Sequence, residues 1–308
     1  MTLSRVQDGR VRVRAPGKIN VFFAVGDVQP DGYHDVASVY QAVGLFEDVW
    51  ATIGEGYTVE VTGTVDVSGV PLDDRNLAVR AARSVARAVG WEGGIHLEIH
   101  KGVPVAGGMG GGSADAAATL VAVNALLGGN LSAAELHVLG AELGADVPFA
   151  LLGGTAVGTG RGDELAPALV RGRFEWVLVT RTDGLSTPAV YGELDRLRAA
   201  PDIRPPIAVP TVAPGVLAAL RAGDALALAG AIANDLHPAA CSLLPALNEV
   251  IDRGLTAGAL AGFVSGSGPT IAFLAAPGGA DALARTLRSA GFSALAAHGP
   301  VAGARVLA

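Results

Sequence analysis

Apolar and charged residues alternate along Arg10-Val-Arg-Val-Arg14, the period of a half-buried strand. Ala15-Pro16-Gly17 interrupts that run, and Lys18-Ile-Asn-Val-Phe-Phe-Ala-Val25 resumes it. A period of two puts Lys18, Asn20 and Phe22 on one face and Ile19, Val21 and Phe23 on the other. Val36 to Gly44 leads into a strand pattern over Leu45–Ile53, and further strands are expected over Thr58–Val65 and Ile95–Lys101, with Ile95, Leu97 and Ile99 apolar. Helical spacing follows Asn76, a capping residue, over Leu77–Val89 with Gly90 as its stop. It recurs over Ser113–Leu127, where Leu120, Val123 and Leu127 share a face ahead of Gly128-Gly129. Ser132-Ala-Ala-Glu135 is a capping box that opens a helix to Leu143, with Gly144 as its stop.

Phe174–Thr180 reads as a buried strand that opens a second domain, so the chain is expected to divide into 1–169 and 170–308. A helix follows Ser186 and carries Leu194 and Leu197; residues 199–215 form a proline-rich loop. Helices are expected at 215–222, 224–233, 243–253 and 280–290, two strand pieces around Gly266-Ser-Gly-Pro269, and a last strand over Ala304–Ala308. Strands and helices alternate irregularly, which fits an α+β fold better than a doubly wound sheet.

The 308 residues are half apolar, ample for one large or two ordinary cores. A net charge of −7 without a Lys/Arg cluster argues against nucleic acid as a partner. The single cysteine, Cys241, excludes an internal disulfide framework and fits a reducing compartment. The first ten residues lack the apolar segment of a secretory signal, and every apolar run stops short of the ~20 residues that span a bilayer. The expectation is a cytoplasmic protein with neither membrane nor nucleic-acid partners.

Between the strand ending at Lys101 and the helix after it lies Val103-Pro-Val-Ala-Gly-Gly-Met-Gly-Gly-Gly-Ser113. Residues without Cβ let backbone approach a ligand, and free N–H groups at a helix start attract an anion such as a polyphosphate. Ser113 is expected as the N-cap, with Asp115 in the first turn. No Lys follows the glycines, so Walker A fails; Gly-x-Gly-x-x-Gly matches imperfectly, and a flexible surface loop is the plain alternative. Lys18 and Asn20 on an apolar strand are either solvated at a sheet edge or aimed into a polar pocket. Asp146, before Val-Pro, is a candidate N-cap or a carboxylate for chemistry. The Pro30-Asp-Gly turn presents Tyr33 and His34, a pairing that more often packs than binds. His96 and His100 share a strand face with Glu98, a solvated face rather than a metal site. A phosphate loop, a lysine and an aspartate are the parts that phosphoryl transfer requires.

Pro16-Gly17-Lys18-Ile19-Asn20, Pro104 to Ser113 and Gly266-Ser-Gly-Pro269 stand in the order of the three motifs of the GHMP kinases, and the chain resembles that family along its whole length. Asp31-Gly-Tyr-His34, the glycine-heavy loop Gly107–Ser113 and Gly144-Ala-Asp146-Val-Pro148 are most similar to the branch that phosphorylates the 2-hydroxyl of a diphosphocytidyl methylerythritol. Ala106, Met109, Ala114 and Asp115 depart from the Gly, Leu, Ser and Asn expected there, and a Cβ at Ala106 could crowd a triphosphate. The N-terminal extension and the 199–215 loop are further departures.

The resemblance implies a two-domain architecture with the active site in the cleft between domains. ATP would be held by Pro104, Val105, Ala106, Gly107, Gly108, Met109, Gly110, Gly111, Gly112, Ser113 and Ala114. Mg2+ would ride on its phosphates without a dedicated protein ligand set, Ser113 being the one residue that could touch metal or phosphate. Asp146 would take the acceptor hydroxyl's proton, Lys18 would offset charge on the transferring phosphoryl, and Asn20 would lie near the substrate diphosphate. Tyr33 and Tyr191 would sandwich the cytosine while His34 bonds its edge. Rival readings are a homoserine- or mevalonate-type member, a non-catalytic nucleotide-binding protein of the same fold, and a dinucleotide enzyme. The last needs an acid about 20 residues past the glycines at a strand end; Glu135 is near that spacing but inside a predicted helix.

Overall fold

The computed structural model describes residues 9–105, 107–181, 183–199 and 209–307. The first half of the chain runs β1 (Arg10–Val28), β2 (His34–Gly54), β3 (Tyr57–Gly63), α1 (Leu77–Ala88), β4 (Gly94–Lys101), α2 (Gly111–Leu126), α3 (Ala133–Leu143), α4 (Val147–Leu152), β5 (Thr155–Thr159) and β6 (Glu164–Pro167). The second half runs β7 (Phe174–Thr180), α5 (Thr187–Arg198), α6 (Pro214–Ala222), α7 (Ala225–Ala229), β8 (Ala233–Asn234), α8 (His237–Leu243), α9 (Ala246–Thr256), β9 (Ala261–Val264), β10 (Ile271–Ala275), α10 (Ala280–Ser289), β11 (Ser293–Gly299) and β12 (Arg305–Val306).

The first sheet has the order β12-β1-β2-β4-β3, with β5 and β6 continuing from β2 and β8 beside β1. β1 and β2 form one long antiparallel hairpin from Arg10↔Thr52 to Val28↔His34, while β3 runs parallel to β4. Val11, Val13, Val49, Ala51, Ile95, Leu97 and Ile99 present one apolar face, and α1 to α4 cover it. α2 lies deepest: Ala114, Ala116, Ala117, Ala118 and Ala122 are buried, and their small side chains let the helix backbone settle close to sheet and neighbours. The second sheet, β11-β7-β10-β9, is antiparallel throughout. Val177, Val179, Ile271 and Phe273 on one face pack under α5, α8, α9 and α10. Trp176, Leu178, Ala272 and Leu274 on its other face pack against Ile19, Val21, Val39 and Val43 of the first sheet. Trp176 Nε1 also donates to Gln41 Oε1 across that junction, at 2.8 Å. The two sheets thus share a core, and β1 runs through it.

Several expectations change. Ala15-Pro16-Gly17 does not break the first strand: β1 is continuous, and the irregularity is absorbed as register shifts at Pro16/Gly17 and Asn20/Phe22. The second shift undoes the simple alternation, so Phe22 packs with Ile19 and Val21 while Phe23 joins Val25 and Val36 in the other core. The expected helix 224–233 is only α7, because residues 233–234 pair in parallel with Phe22 and Phe23. α8 and β11 were not anticipated, and the last strand is the short β12, which returns to pair with Val13 and Arg14. Most of the proline-rich loop and the first eight residues lie outside the described residues.

Candidate active site

β1 carries Lys18 into the shared core rather than to a sheet edge, where the side chain is 11% exposed. Its ammonium donates to Asn20 Oδ1 at 2.9 Å, lies 3.4 Å from Asp146 Oδ2, and stands 5.6 Å from the centre of the Tyr40 ring. Burial of an ammonium is costly unless charge and hydrogen-bond partners surround it, and here all three neighbours supply one or the other. Asp146 occupies the N-cap position of α4, but its side chain makes no capping bond. It is 31% exposed and turned toward Lys18 instead. The N-cap position is as expected, while the carboxylate itself is left to pair with Lys18. Asn20 spends both ends of its amide, accepting from Lys18 and donating to Ser38 Oγ at 2.8 Å. Its backbone N–H donates to Ser265 Oγ at 3.0 Å, tying β1 to the second glycine turn.

The first glycine loop closes over this pair. Lys18 N donates to Met109 O at 2.9 Å, and the Met109 side chain is buried against Ile19 and Val103. Gly108 and Gly110 have φ near +71°, a region that favours glycine. A Cβ on Gly108 would lie 2.8 Å from Gly268 O, so the two glycine turns touch backbone to backbone. Thr270 Oγ1 donates to Gly107 O at 2.5 Å and fixes the same approach. A cavity of about 400 Å³ opens beside the loop, lined by Pro104, Val105, Gly107 to Ser113, and on its far wall by Val70, Pro71, Asn76 and Leu77.

Two expectations at the helix start are corrected. Gly110, in left-handed conformation, caps α2 without any side chain, so Ser113 lies inside the first turn and is not the N-cap. Asp115 lies past the first turn and is buried, and Lys101 Nζ meets its Oδ2 at 2.5 Å and Glu47 Oε1 at 2.8 Å. Burial, reinforced by Asp115, pushes Glu47 up to about 8, and burial raises Asp115 as well. Lys101 is raised too, because the two carboxylates outweigh its own desolvation. Ala114 is buried in the core beneath the loop, and Ala106 lies outside the described residues.

A second cavity of about 500 Å³ is lined by Gly32, Tyr33, His34, Arg161, Tyr191 and Asp195 among others. Tyr33 is 58% exposed, and its ring centre lies 4.2 Å from the Arg161 guanidinium above it. His34 is buried, its Nε2 2.9 Å from Asp195 Oδ1 and its ring 5.1 Å from that of Tyr191. The fold thus brings Tyr33, His34 and Tyr191 into one aromatic-walled pocket. Arg161 and Asp195 were missed because nothing in their local sequence distinguishes them from surface charges. Lys101 was missed as well, although the pattern held a signal for it: it continues the inward series Ile95, Leu97, Ile99 by one more step of two. His96 and His100 meet Thr58 and Thr62, and no cluster of three metal-ligating side chains occurs among the described residues.

Residues 76–154 match the description "GHMP kinases N terminal domain" and residues 216–293 match "GHMP kinases C terminal". The chain belongs to the GHMP kinases. Among relatives of this kinase, a 4-diphosphocytidyl-2-C-methyl-D-erythritol kinase of Clavibacter michiganensis is 57% identical over 100% of this chain and 99% of its own length. One of the same name from Streptomyces avermitilis is 50% identical, covering 96% and 99%. A crystal structure of a 4-(cytidine 5'-diphospho)-2C-methyl-D-erythritol kinase superimposes with a TM-score of 0.75 at 31% identity, over 93% of this chain and 98% of that one. A homoserine kinase from Cytophaga hutchinsonii, at 20% identity and a TM-score of 0.73 over 98% of each chain, shares the fold. The α+β expectation and the family resemblance are both borne out, and the readings as a dinucleotide enzyme or a loose surface loop fall. No helix among the described residues is long and apolar enough to cross a membrane.

Proposed function

We propose that this kinase transfers the γ-phosphate of ATP to the 2-hydroxyl of 4-diphosphocytidyl-2-C-methyl-D-erythritol, in the non-mevalonate route to isoprenoid precursors. The observation that carries the reading is the approach of Lys18 Nζ to Asp146 Oδ2, 3.4 Å, at the rim of a glycine loop built for phosphates. Asp146 is the base: its carboxylate, which caps no helix N–H, accepts the proton of the attacking hydroxyl. Lys18 offsets the negative charge on the transferring phosphoryl, and Asn20 fixes the ammonium's direction. Backbone N–H groups of Gly107 to Ser113 receive the triphosphate, helped by the α2 dipole.

Mg2+ fits this site as a passenger of the phosphates. Ser113, which lines the cavity beside the loop, is the residue that could touch it. When bound, the ion neutralises phosphate charge. Tyr33 and Tyr191 receive the cytosine between them and His34, oriented by Asp195, meets its edge. The division into 1–169 and 170–308 is part of the same reading, with β12 returning to the first sheet. So are a cytoplasmic location and the absence of nucleic-acid and membrane partners, supported by the lone cysteine and the acidic balance.

The aromatic pocket is what favours a cytidylyl acceptor over homoserine or mevalonate, which carry no base to stack. Purified protein given ATP-Mg and each of the three acceptors should consume ATP with the cytidylyl compound alone. Turnover of homoserine or mevalonate at a comparable kcat/KM would refute the assignment.

A further inference from the structure

Lys101, Glu47 and Asp115 form a charged cluster inside the first core, directly behind the phosphate loop. Their side chains are 3%, 0% and 5% exposed. The three come from three elements: Lys101 ends β4, Glu47 sits in β2, and Asp115 follows the start of α2. Glu47 Oε2 also accepts from Gly102 N at 3.0 Å, and its Oε1 lies 3.0 Å from where a Cβ on Gly111 would stand. The cluster therefore touches Gly102, which leads from β4 into the loop, and Gly111, the first residue of the helix that ends it. Both Lys101 and Asp115 border the cavity beside the loop.

Buried charge of this kind is weak as a stabilising device, since apolar residues of equal volume hold a core as well or better. What it supplies is a fixed distance between groups that must not slide. A glycine-rich loop has little stiffness of its own. With Lys101 consumed by two carboxylates, the ammonium is not available to touch phosphates as a Walker lysine would. We propose that Lys101, clasped between Glu47 and Asp115, is a positioning residue for nucleotide binding, holding β4 and α2 at the separation that aims the N–H groups of residues 107–112 at the phosphates. The proposal rests on the reading that this loop holds ATP.

The cluster has two carboxyls for one ammonium. Both Glu47 oxygens already accept N–H donors, whereas Asp115 Oδ1 has no partner, so a proton there displaces no existing bond. The other charged groups near the loop are Lys18 of β1, packed under Gly110 beside Asp146, and Arg75, ahead of α1 on the cavity's far wall. Loss of the cluster's proton in alkali places an uncompensated negative charge behind the triphosphate site. In Asp115→Asn the remaining pair is balanced, and no proton is left to lose.

Binding of ATP and of adenosine is measured by calorimetry for the wild type, Lys101→Met and Asp115→Asn, with kcat and KM for both substrates. Lys101→Met should weaken ATP by about tenfold or more, roughly 1.4 kcal/mol, and leave adenosine and the acceptor's KM within about twofold. Equal weakening of ATP and adenosine, or no weakening, would overturn the proposal. If Lys101→Met does not fold, Asp115→Asn decides. Wild-type affinity for ATP should fall as pH rises through about 8 while that of Asp115→Asn stays level; parallel or flat profiles would overturn it. A wild type that binds no ATP would overturn the kinase reading as well, which separates the two failures.

Discussion

Tyr191 lies with its ring 5.1 Å from that of His34, and His34 in turn is held by Asp195, so the aromatic wall of the second cavity is a supported surface. Base–aromatic stacking is worth about 1–3 kcal/mol, so Tyr191→Ala should raise KM for the cytidylyl substrate by roughly 5- to 150-fold. KM for ATP, measured in the same steady-state assays, should not change. At the Glu47–Asp115 pair the relevant quantity is the one proton that the two carboxyls share. Burial raises both, and the nearness of Asp115 helps push Glu47 up to about 8 rather than 4.5. A carboxyl with a raised folded value binds its proton more tightly in the folded state. Its contribution to stability is complete below about 4.5 and is lost as pH rises toward about 8. Half-buried His237 is shifted downward by its partial burial and acts in the opposite sense, so the comparison must be with a variant. The thermal midpoint of the wild type, relative to Asp115→Asn, should decline from about pH 5 to 8; a constant difference across that window would be the contrary result.

At the scale of elements, the loop between β4 and α2 depends on backbone that only glycine supplies cheaply. Gly108→Ala would force a side chain into a φ near +71° and set its Cβ 2.8 Å from Gly268 O. A strain of about 1–3 kcal/mol is expected, with the two glycine turns pushed apart. Calorimetry should show a lower thermal midpoint, and kinetics a KM for ATP raised by at least about tenfold. Elements fixed by local chemistry were legible in the sequence. Asn76 accepts from Ala78 N, and both bonds of the Ser132/Glu135 capping box are made. Elements fixed by tertiary pairing were not. β11, Ser-Ala-Leu-Ala-Ala-His-Gly, carries almost no alternation and is a strand because β7 pairs along its whole length. The start of α2 was misplaced because a left-handed glycine needs no side chain to begin a helix, so Gly110 left no capping signature.

Over the whole molecule, one sheet face carries the helices, among them α2, which starts from the first glycine loop, and the second sheet closes from the other side with its own glycine turn. β1 passes between them and delivers Lys18; α4 delivers Asp146. Neither periodicity nor spacing could report that these two residues meet, since the contact spans much of the chain; the order of the three motifs carried that expectation, through family resemblance. Glu47 and Asp115 were opaque for the same reason, being paired by a lysine from a third element. The measurement that bears most directly on the proposed chemistry is single-turnover phosphoryl transfer by Asp146→Asn, which keeps the residue's shape and removes its basicity. The rate should fall by about 10²- to 10⁴-fold with nucleotide affinity unchanged. Transfer at the wild-type rate, with ATP bound as tightly as before, would show that Asp146 is not the base.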